Sequence, residues 1–487
     1  MLAQKIHPSV DLHGSPRPRA ADAQRPNAVG PYRRLYEALL TPSPTPQARQ
    51  QAAQWLQRLM YESEDVLGEL CEAPEDLHAW ARENAQVVAQ RYRTYLDGRR
   101  AGSERHYFRN RAHALNFLAS VAPTKLVDGS WLYGLARHTS TERLRPLLQT
   151  YLEELGEGVA HKNHVTLYRQ LMRRHGLQQD LQLDDANYLQ GAVQLALGWN
   201  AEQFLPEVIG FNLGYEQLPL HLLITAYELN ELGIDPYYFT LHVTVDNGDS
   251  GHAWQACEAV LQMLEVQQDR DQFWQRVRAG SKLADAGRGT QEVIASFDAR
   301  TEVVKIFQRK APAGAGMHSD YCRIGGRTVN DWLGPQGDID AMLDALVDSG
   351  WIQLGAPVSQ SRFWNLLQGE RAEMFGVFTG YELQVIHDWI RGEDSRDGQD
   401  HAQPASANQT RGLPSFRALA RHRSNANPIG SAEPALDPEL HQFKEQLQPL
   451  EGEQRRQFLS AALSPATHWT STGLFATRLF ISEGWAT

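Results

Sequence analysis

Amphipathic helical periodicity runs through most of the chain, and it restricts the fold more than any other feature. In TPQARQQAAQWLQRLMYES, the residues Ala53, Leu56 and Met60 fall on one face of a helix that Thr45 can cap. Segments such as DDANYLQGAVQLALG and LPLHLLITAYELNELG repeat this spacing. Strand-like alternation is short, and TEVVKIFQ is its best example. The pattern predicts an all-α fold, with one helical domain over residues 46–391 that includes an N-terminal helical extension.

Two stretches lack this periodicity. Residues 1–45 are rich in Pro, Ala and Arg, and they predict a disordered tail because they have little apolar surface to bury. Residues 392–434 are rich in Asp, Ser, Asn and Gly, and they predict a flexible linker. The helical pattern returns in residues 435–487, a C-terminal helical segment that either docks on the core or forms a subunit interface.

Charge and cysteine content narrow the function classes. The 487 residues carry a formal net charge of −11 without a basic stripe, which argues against nucleic-acid binding because phosphate neutralisation needs clustered cations. Cys71, Cys257 and Cys322 form no CxxC pair, so a disulfide framework and a thiolate zinc site are both disfavoured. No apolar run is typical of a signal peptide or a membrane span. We therefore expect a cytoplasmic protein without membrane contact.

Carboxylates and imidazoles are concentrated in three apolar segments. They are Glu153, Glu154, Glu157, His161 and His164 in YLEELGEGVAHKNHVTLY, Glu207 and Glu216 in PEVIGFNLGYEQLPLHLL, and His242, Asp246 and His252 in YYFTLHVTVDNGDSGHAW. Glu216 stands in an apolar run, where a charge without a cationic partner is costly. Singly, such residues are more typical of solvated helix faces. Together the three segments favour a metal site, and oxygen and imidazole ligands suit iron or manganese.

The spacing in the first segment allows two arrangements. Glu157 and His164 are seven residues apart and share a face of a regular helix. Glu154 and His164 are ten apart, about 80° out of register, so they meet only if the helix unwinds. Gly156 and Gly158 lie between them and favour such unwinding.

The third segment is also ambiguous. His242 and Asp246 share a helix face at a spacing of four residues, although YYFTLHVTVD is compatible with a strand as well. His252 follows His242 by ten residues, and NGDSG between them predicts a break in the helix.

These segments, together with LVDGSWL at residues 126–132, resemble the heme-oxygenase-like diiron oxidase and oxygenase superfamily, the iron-containing redox enzymes. LVDGSWL, EELGEGVAHKNH, GYEQLP, YYFTLHVTVD and SGHA carry the resemblance, which covers residues 105–270 clearly and extends towards residue 391. Many relatives have Glu at the first position, and their last His follows the acid by three residues, where this chain has Asp249. The resemblance implies seven metal ligands: Asp128, Glu154, His164, Glu216, His242, Asp246 and His252.

The resemblance also implies a function. It predicts a heme-oxygenase-like seven-helix bundle with extra helical segments at both ends, holding two Fe(II) ions per chain through side chains, with no catalytic residue beyond the ligands. The expected activity is O2-dependent oxidation of a small amino-acid-derived substrate, preferably N-oxygenation in small-molecule biosynthesis. Oxidation at carbon by desaturation, hydroxylation or oxidative C–C cleavage is the alternative, as is a cofactorless or non-catalytic module of the same fold. An external electron donor and a homodimer are compatible with this prediction.

Overall fold

The computed structural model describes residues 29–63, 70–138, 142–177, 182–245, 251–369, 372–392 and 437–485. The helices of the first half are α1 (Pro31–Leu39), α2 (Pro46–Glu62), α3 (Leu77–Arg100), α4 (Arg111–Ser120), α5 (Ala122–Lys125), α6 (Tyr133–His138), α7 (Arg145–Glu154), α8 (His164–Arg174), α9 (Leu189–Trp199), α10 (Leu205–Tyr215), α11 (Leu220–Glu231) and α12 (Tyr237–Val245). The all-α class predicted from the sequence is confirmed.

The described residues of the second half are mainly helical as well. Its helices are α13 (His252–Leu264), α14 (Arg270–Ala284), α15 (Thr290–Ala295), α16 (Ala299–Gly314), α17 (Val329–Leu333), α18 (Ile339–Asp348), α19 (Arg362–Gln368), α20 (Gly380–Arg391), α21 (Pro438–Leu447), α22 (Gly452–Ala462) and α23 (Ser471–Ser482). Strands β1 (Arg323–Ile324) and β2 (Arg327–Thr328) form a short antiparallel hairpin. Short 3-10 turns cover Pro74–Asp76, Ser130–Leu132, Glu142–Leu144, Gly156–Gly158, Asp185–Tyr188 and Val358–Gln360.

Side-chain caps and apolar faces explain where the helices lie. Thr45 caps α2 by accepting a hydrogen bond from the Ala48 amide, as the sequence predicted. Residues 301–308, which show the best strand-like alternation in the sequence, lie in α16, as the predicted all-α domain requires. Asp298 caps α16, and Val303, with neighbours three and four residues further on, forms a buried helical face. Residues 237–245 are helical too.

The prediction of a disordered tail over residues 1–45 was wrong for residues 31–39, which form α1. Tyr36 and Leu39 of this helix are buried, and α1 packs against α9. The Asp185 carboxylate accepts hydrogen bonds from the first backbone amides of α1, at 3.2 Å from Tyr32 N and 2.9 Å from Arg33 N. Because Asp185 lies about 150 positions away from α1, the sequence around α1 gives no sign of this cap.

Residues 1–28 and 393–436 lie outside the described residues, and the domain boundaries stay predictions.

Among the described residues, the buried apolar side chains form two clusters. The first unites α1, α2, α7, α9, α10, α13 and α14 with Leu447, Leu463 and Phe480 of the C-terminal segment, which therefore docks on the core of its own chain. The second unites α4, α8, α11, α12 and the helices from α15 to α20. Leu155 belongs to the first cluster and Val165 to the second, so the loop between α7 and α8 crosses from one to the other. Among the described helices, none has both the length and the apolar character needed to cross a membrane.

Candidate metal centre

Four buried side chains from separate elements meet where the two clusters adjoin. Asp128 lies in the turn after α5, Glu154 ends α7, His164 begins α8, and His242 belongs to α12. Each offers one oxygen or nitrogen atom, and these four atoms all lie within 4.8 Å of one another. The group contains two carboxylates and two imidazoles, a donor set that binds iron well.

A second group shares Glu154 with the first. Glu216, just after α10, and His252, the first residue of α13, complete it, and its three ligand atoms also lie within 4.8 Å of one another. The structure thus brings together six of the seven residues expected from the sequence. Asp246, the seventh, lies outside the described residues, so its role stays a prediction.

A break in the backbone brings Glu154 to His164. Helix α7 ends at Glu154, a 3-10 turn follows, and α8 begins at His164. Glu157 in this turn has a φ of 53°, is exposed and lies 3.3 Å from Lys162 Nζ. The regular-helix arrangement that would pair Glu157 with His164 is therefore wrong, and the unwound arrangement is the one observed. The Cβ-free Gly156, with a φ of 63°, packs against the backbone of residues 162–163.

Gly129 allows the turn with Asp128 to approach α7. Its φ is 77°, and a Cβ at this position would lie 2.9 Å from the Cβ of Glu154. A side chain at residue 129 would therefore displace Glu154 from the centre.

The donor atoms of the first group face a common point. His164 Nδ1 and Glu154 Oε2 lie 2.5 Å apart, yet within the described part of the chain neither atom has a hydrogen-bond partner, and Asp128 Oδ1 has none either. Leaving a buried polar atom without a partner costs about 1–3 kcal/mol. A cation between these atoms would satisfy all of them at once, so the residues fit a bound metal ion.

Hydrogen bonds orient His242 for metal binding. Its Nδ1 lies 2.9 Å from the Tyr238 carbonyl oxygen, which can only accept, so Nδ1 carries the proton. Nε2 therefore faces the centre, 3.3 Å from Asp128 Oδ2, where its lone pair would be available to a metal ion. The Tyr238 hydroxyl donates to the same carboxylate oxygen at 2.5 Å. Metal-bound histidines are typically held in this way by an acceptor on the second ring nitrogen.

His252 lies between two carboxylates. Its Nδ1 is 3.2 Å from Glu216 Oε2, and its Nε2 is 2.6 Å from Glu153 Oε2. The hydrogen bond with His252 lowers the pKa of Glu153. The sequence placed Glu153 among the candidate carboxylates but did not predict that it orients His252. Its position next to Glu154 was the only available signal.

The centre stabilises positive charge. Burial lowers the pKa of His164, but the Glu154 and Asp128 carboxylates outweigh burial and raise it to about 10. For Asp128, burial raises the pKa, whereas the Lys125 ammonium and the two imidazoles hold it well below its usual range. A proton on His164 thus supplies in the metal-free protein the charge that a metal ion would supply.

A cavity of about 460 Å³ adjoins the centre. Asp128, Glu154, Glu216 and His242 line it, so a small molecule there can reach both ligand groups. The Lys125 ammonium lines it too and donates a hydrogen bond to the Tyr215 hydroxyl at 3.2 Å. Lys125 was not among the site residues predicted from the sequence, although it precedes Asp128 by one helical turn.

Residues 115–285 match a protein-family model described as iron-containing redox enzyme. The matched segment contains the six described ligand candidates as well as Asp246, and it confirms both the resemblance and the heme-oxygenase-like fold expected from it. No curated protein and no solved structure matches the chain. The match and the buried carboxylate–histidine cluster support an iron-containing oxidoreductase in general.

Proposed function

We propose that this protein is a non-heme diiron enzyme that uses O2 to oxidise a small amino-acid-derived substrate. The observation that carries the proposal is the pair of buried ligand groups that share Glu154. Asp128, His164 and His242 would hold one Fe(II) ion with Glu154, while Glu216 and His252 would hold the other. Asp246 is proposed as the seventh ligand.

Two ferrous ions bound there would supply electrons for the reduction of O2. The three described carboxylates offset part of the charge of the ions, and Tyr238 and Glu153 hold Asp128 and His252 in position. Burial of all six described ligands excludes bulk water and favours reaction with a substrate in the cavity.

The cavity supports an acidic substrate. The four positive charges of two divalent ions would be balanced by the four proposed carboxylate ligands, and the Lys125 ammonium adds a further positive charge beside them. An anionic group in the cavity would balance this excess, because charges in a partly desolvated site interact strongly. We propose that Lys125 and Tyr215 bind the carboxylate of an amino-acid-derived substrate, whose nitrogen is the preferred site of oxidation.

Anaerobic loading with Fe(II) tests the proposal directly. We expect two iron ions per chain, and O2 consumption that depends on one member of a panel of amino acids. With ¹⁸O2, a labelled N–O product supports N-oxygenation, whereas a product changed only at carbon supports the alternative that uses the same residues. A chain that binds no iron would instead be a cofactorless module of this fold.

A further inference from the structure

The C-terminal segment, residues 437–485, contacts the loop that joins the proposed ligands Glu154 and His164. This segment lies outside the family match, which ends at residue 285. It contacts the last turn of α7, the break itself, and Asn163, which immediately precedes α8. These contacts suggest a role beyond covering the core.

Asn163 is the centre of these contacts. Its side chain is fully buried, and its Oδ1 accepts a hydrogen bond from the Thr166 amide at 2.9 Å, which caps α8. Its Nδ2 donates to the Leu155 carbonyl at 3.1 Å, just after Glu154. Asn163 therefore ties the end of α7 to the start of α8, and so helps to set the separation of Glu154 and His164.

His468 holds Asn163 from the C-terminal segment. It is 1% exposed, and its Nδ1 lies 3.1 Å from Asn163 Nδ2. The amide nitrogen of Asn163 must donate, since its oxygen is already committed to a backbone amide. His468 Nδ1 is therefore the acceptor, and His468 is neutral with its proton on Nε2.

Further contacts from the C-terminal segment hold residues that precede Asn163. The Tyr151 hydroxyl, one turn before Glu154, donates to the Leu463 carbonyl at 2.5 Å. Arg478 donates to the Gly158 carbonyl at 2.6 Å. A Cβ on Gly158 would lie 2.4 Å from the Leu474 carbonyl oxygen, so helix α23 packs directly on the backbone of the break.

We infer that the C-terminal segment is a positioning element of the metal centre, in which His468 acts through Asn163 to hold Glu154 and His164 together. The inference rests on the proposed function where it concerns metal. The loop between the two ligands holds only short turn hydrogen bonds, such as Gly158 N to Leu155 O and Asn163 N to Val159 O, so contacts from the C-terminal segment add to the constraint on its length.

Three full-length variants test this role, with Co(II) as the probe. His468→Leu removes the acceptor, His468→Asn restores an acceptor at the position of Nδ1, and His441→Leu changes an exposed histidine of the same segment. We expect His468→Leu to weaken Co(II) affinity roughly tenfold, the usual size for a residue that orients a ligand, and to shift the visible absorption of bound Co(II). His468→Asn should regain most of the affinity, and His441→Leu should match the wild type.

Hydrogen exchange in the metal-free proteins separates this inference from the proposed function. We expect the amides of residues 155–166 to exchange faster in His468→Leu than in wild type or His441→Leu. Faster exchange in His468→Leu would support the positioning role even if the wild-type protein bound no Co(II). The absence of Co(II) binding to the wild type would reject the diiron function. Wild-type exchange, affinity and spectrum in His468→Leu would overturn the inference.

Tyr151→Phe provides a second test if His468→Leu does not fold. It removes only the hydroxyl that binds the Leu463 carbonyl, and it leaves the ring in place. Faster exchange of the same amides, with weaker Co(II) binding, would support the inference. Behaviour identical to the wild type in both measurements would overturn it.

Discussion

Glu207 and Glu216 lie near opposite ends of α10, and both are 4% exposed, yet their surroundings differ. Two nitrogens of the Arg276 guanidinium donate to the Glu207 carboxylate, each at 2.7 Å. Glu228 is also satisfied by the protein, because it accepts hydrogen bonds from the backbone amides of residues 106–108. Glu216 instead faces the His252 imidazole and lies in a group with Glu154.

This difference distinguishes buried carboxylates that stabilise the fold from buried carboxylates that are arranged to bind a metal ion. Buried carboxylates such as Glu207, whose oxygens accept hydrogen bonds from the protein itself, stabilise the fold without a bound cation. Asp128, Glu154 and Glu216 converge on imidazoles and on one another, an arrangement that is costly unless a cation joins them. The contrast identifies the centre more sharply than burial alone.

Glu154→Ala should have the largest effect, because Glu154 belongs to both ligand groups. We expect it to abolish binding of both iron ions and all O2-dependent activity, measured by iron counting and O2 consumption. Glu157→Ala is the matched control, since Glu157 is exposed and should leave both unchanged. A greater loss of iron in Glu157→Ala than in Glu154→Ala would contradict the proposed ligands.

His164→Ala and His242→Ala should each remove the ion of the first group. We expect iron content to fall from two to about one per chain and activity to be lost, with helical circular dichroism near that of the wild type, because each histidine serves one group only. Full activity in either variant would show that the imidazole is not a ligand.

Glu207→Gln should affect stability alone. Loss of the ion pair with Arg276 should lower the free energy of unfolding by about 1–3 kcal/mol, a modest value because the Arg276 side chain is 40% exposed. Denaturant unfolding measures this loss, and the iron content should remain that of the wild type. In Glu216→Gln we expect the converse, reduced iron with little change in the stability of the metal-free protein, and a reversed pattern would refute the contrast.

Acid should weaken the C-terminal contact with the loop, and this is the smallest effect. Burial lowers the pKa of His468 to about 3 from its usual 6.5, and the positive charges of Arg169 and His164 act in the same direction. The Asp128 carboxylate acts in the opposite direction but is outweighed. As the pH falls, His468 is therefore protonated in the unfolded chain before it is protonated in the folded protein. Its contribution to the free energy of unfolding is fully present above pH 6.5 and is lost as the pH falls towards 3.

The slope attributable to His468 is at most about 1.4 kcal/mol per pH unit. Since His175 also has a lowered pKa, the informative measurement is the difference in unfolding free energy between wild type and His468→Asn from pH 7 to pH 4. The variant should lose less stability. Equal slopes would mean that His468 is not held neutral by its surroundings.

Local sequence anticipated a large part of the centre. The residue types in EELGEGVAHKNH, GYEQLP and YYFTLHVTVD marked six side chains that the fold gathers, and the glycines indicated the break after Glu154. Apolar residues three and four apart predicted most helices, because burying one face stabilises a helix wherever it packs. The strand-like alternation in α16 did not lead to a strand, because β-branched residues suit buried helix faces as well as strands.

Residue types and their spacing were enough to predict the all-α class and the kinds of atoms available to bind a metal. The folded structure was needed to show that Glu154 and not Glu157 joins His164, that Glu153 orients His252, and that the C-terminal segment contacts the loop between α7 and α8. Helical periodicity depends on residues three or four positions apart, whereas these contacts join residues about 10, 100 and 300 positions apart. Such contacts depend on how the whole chain packs.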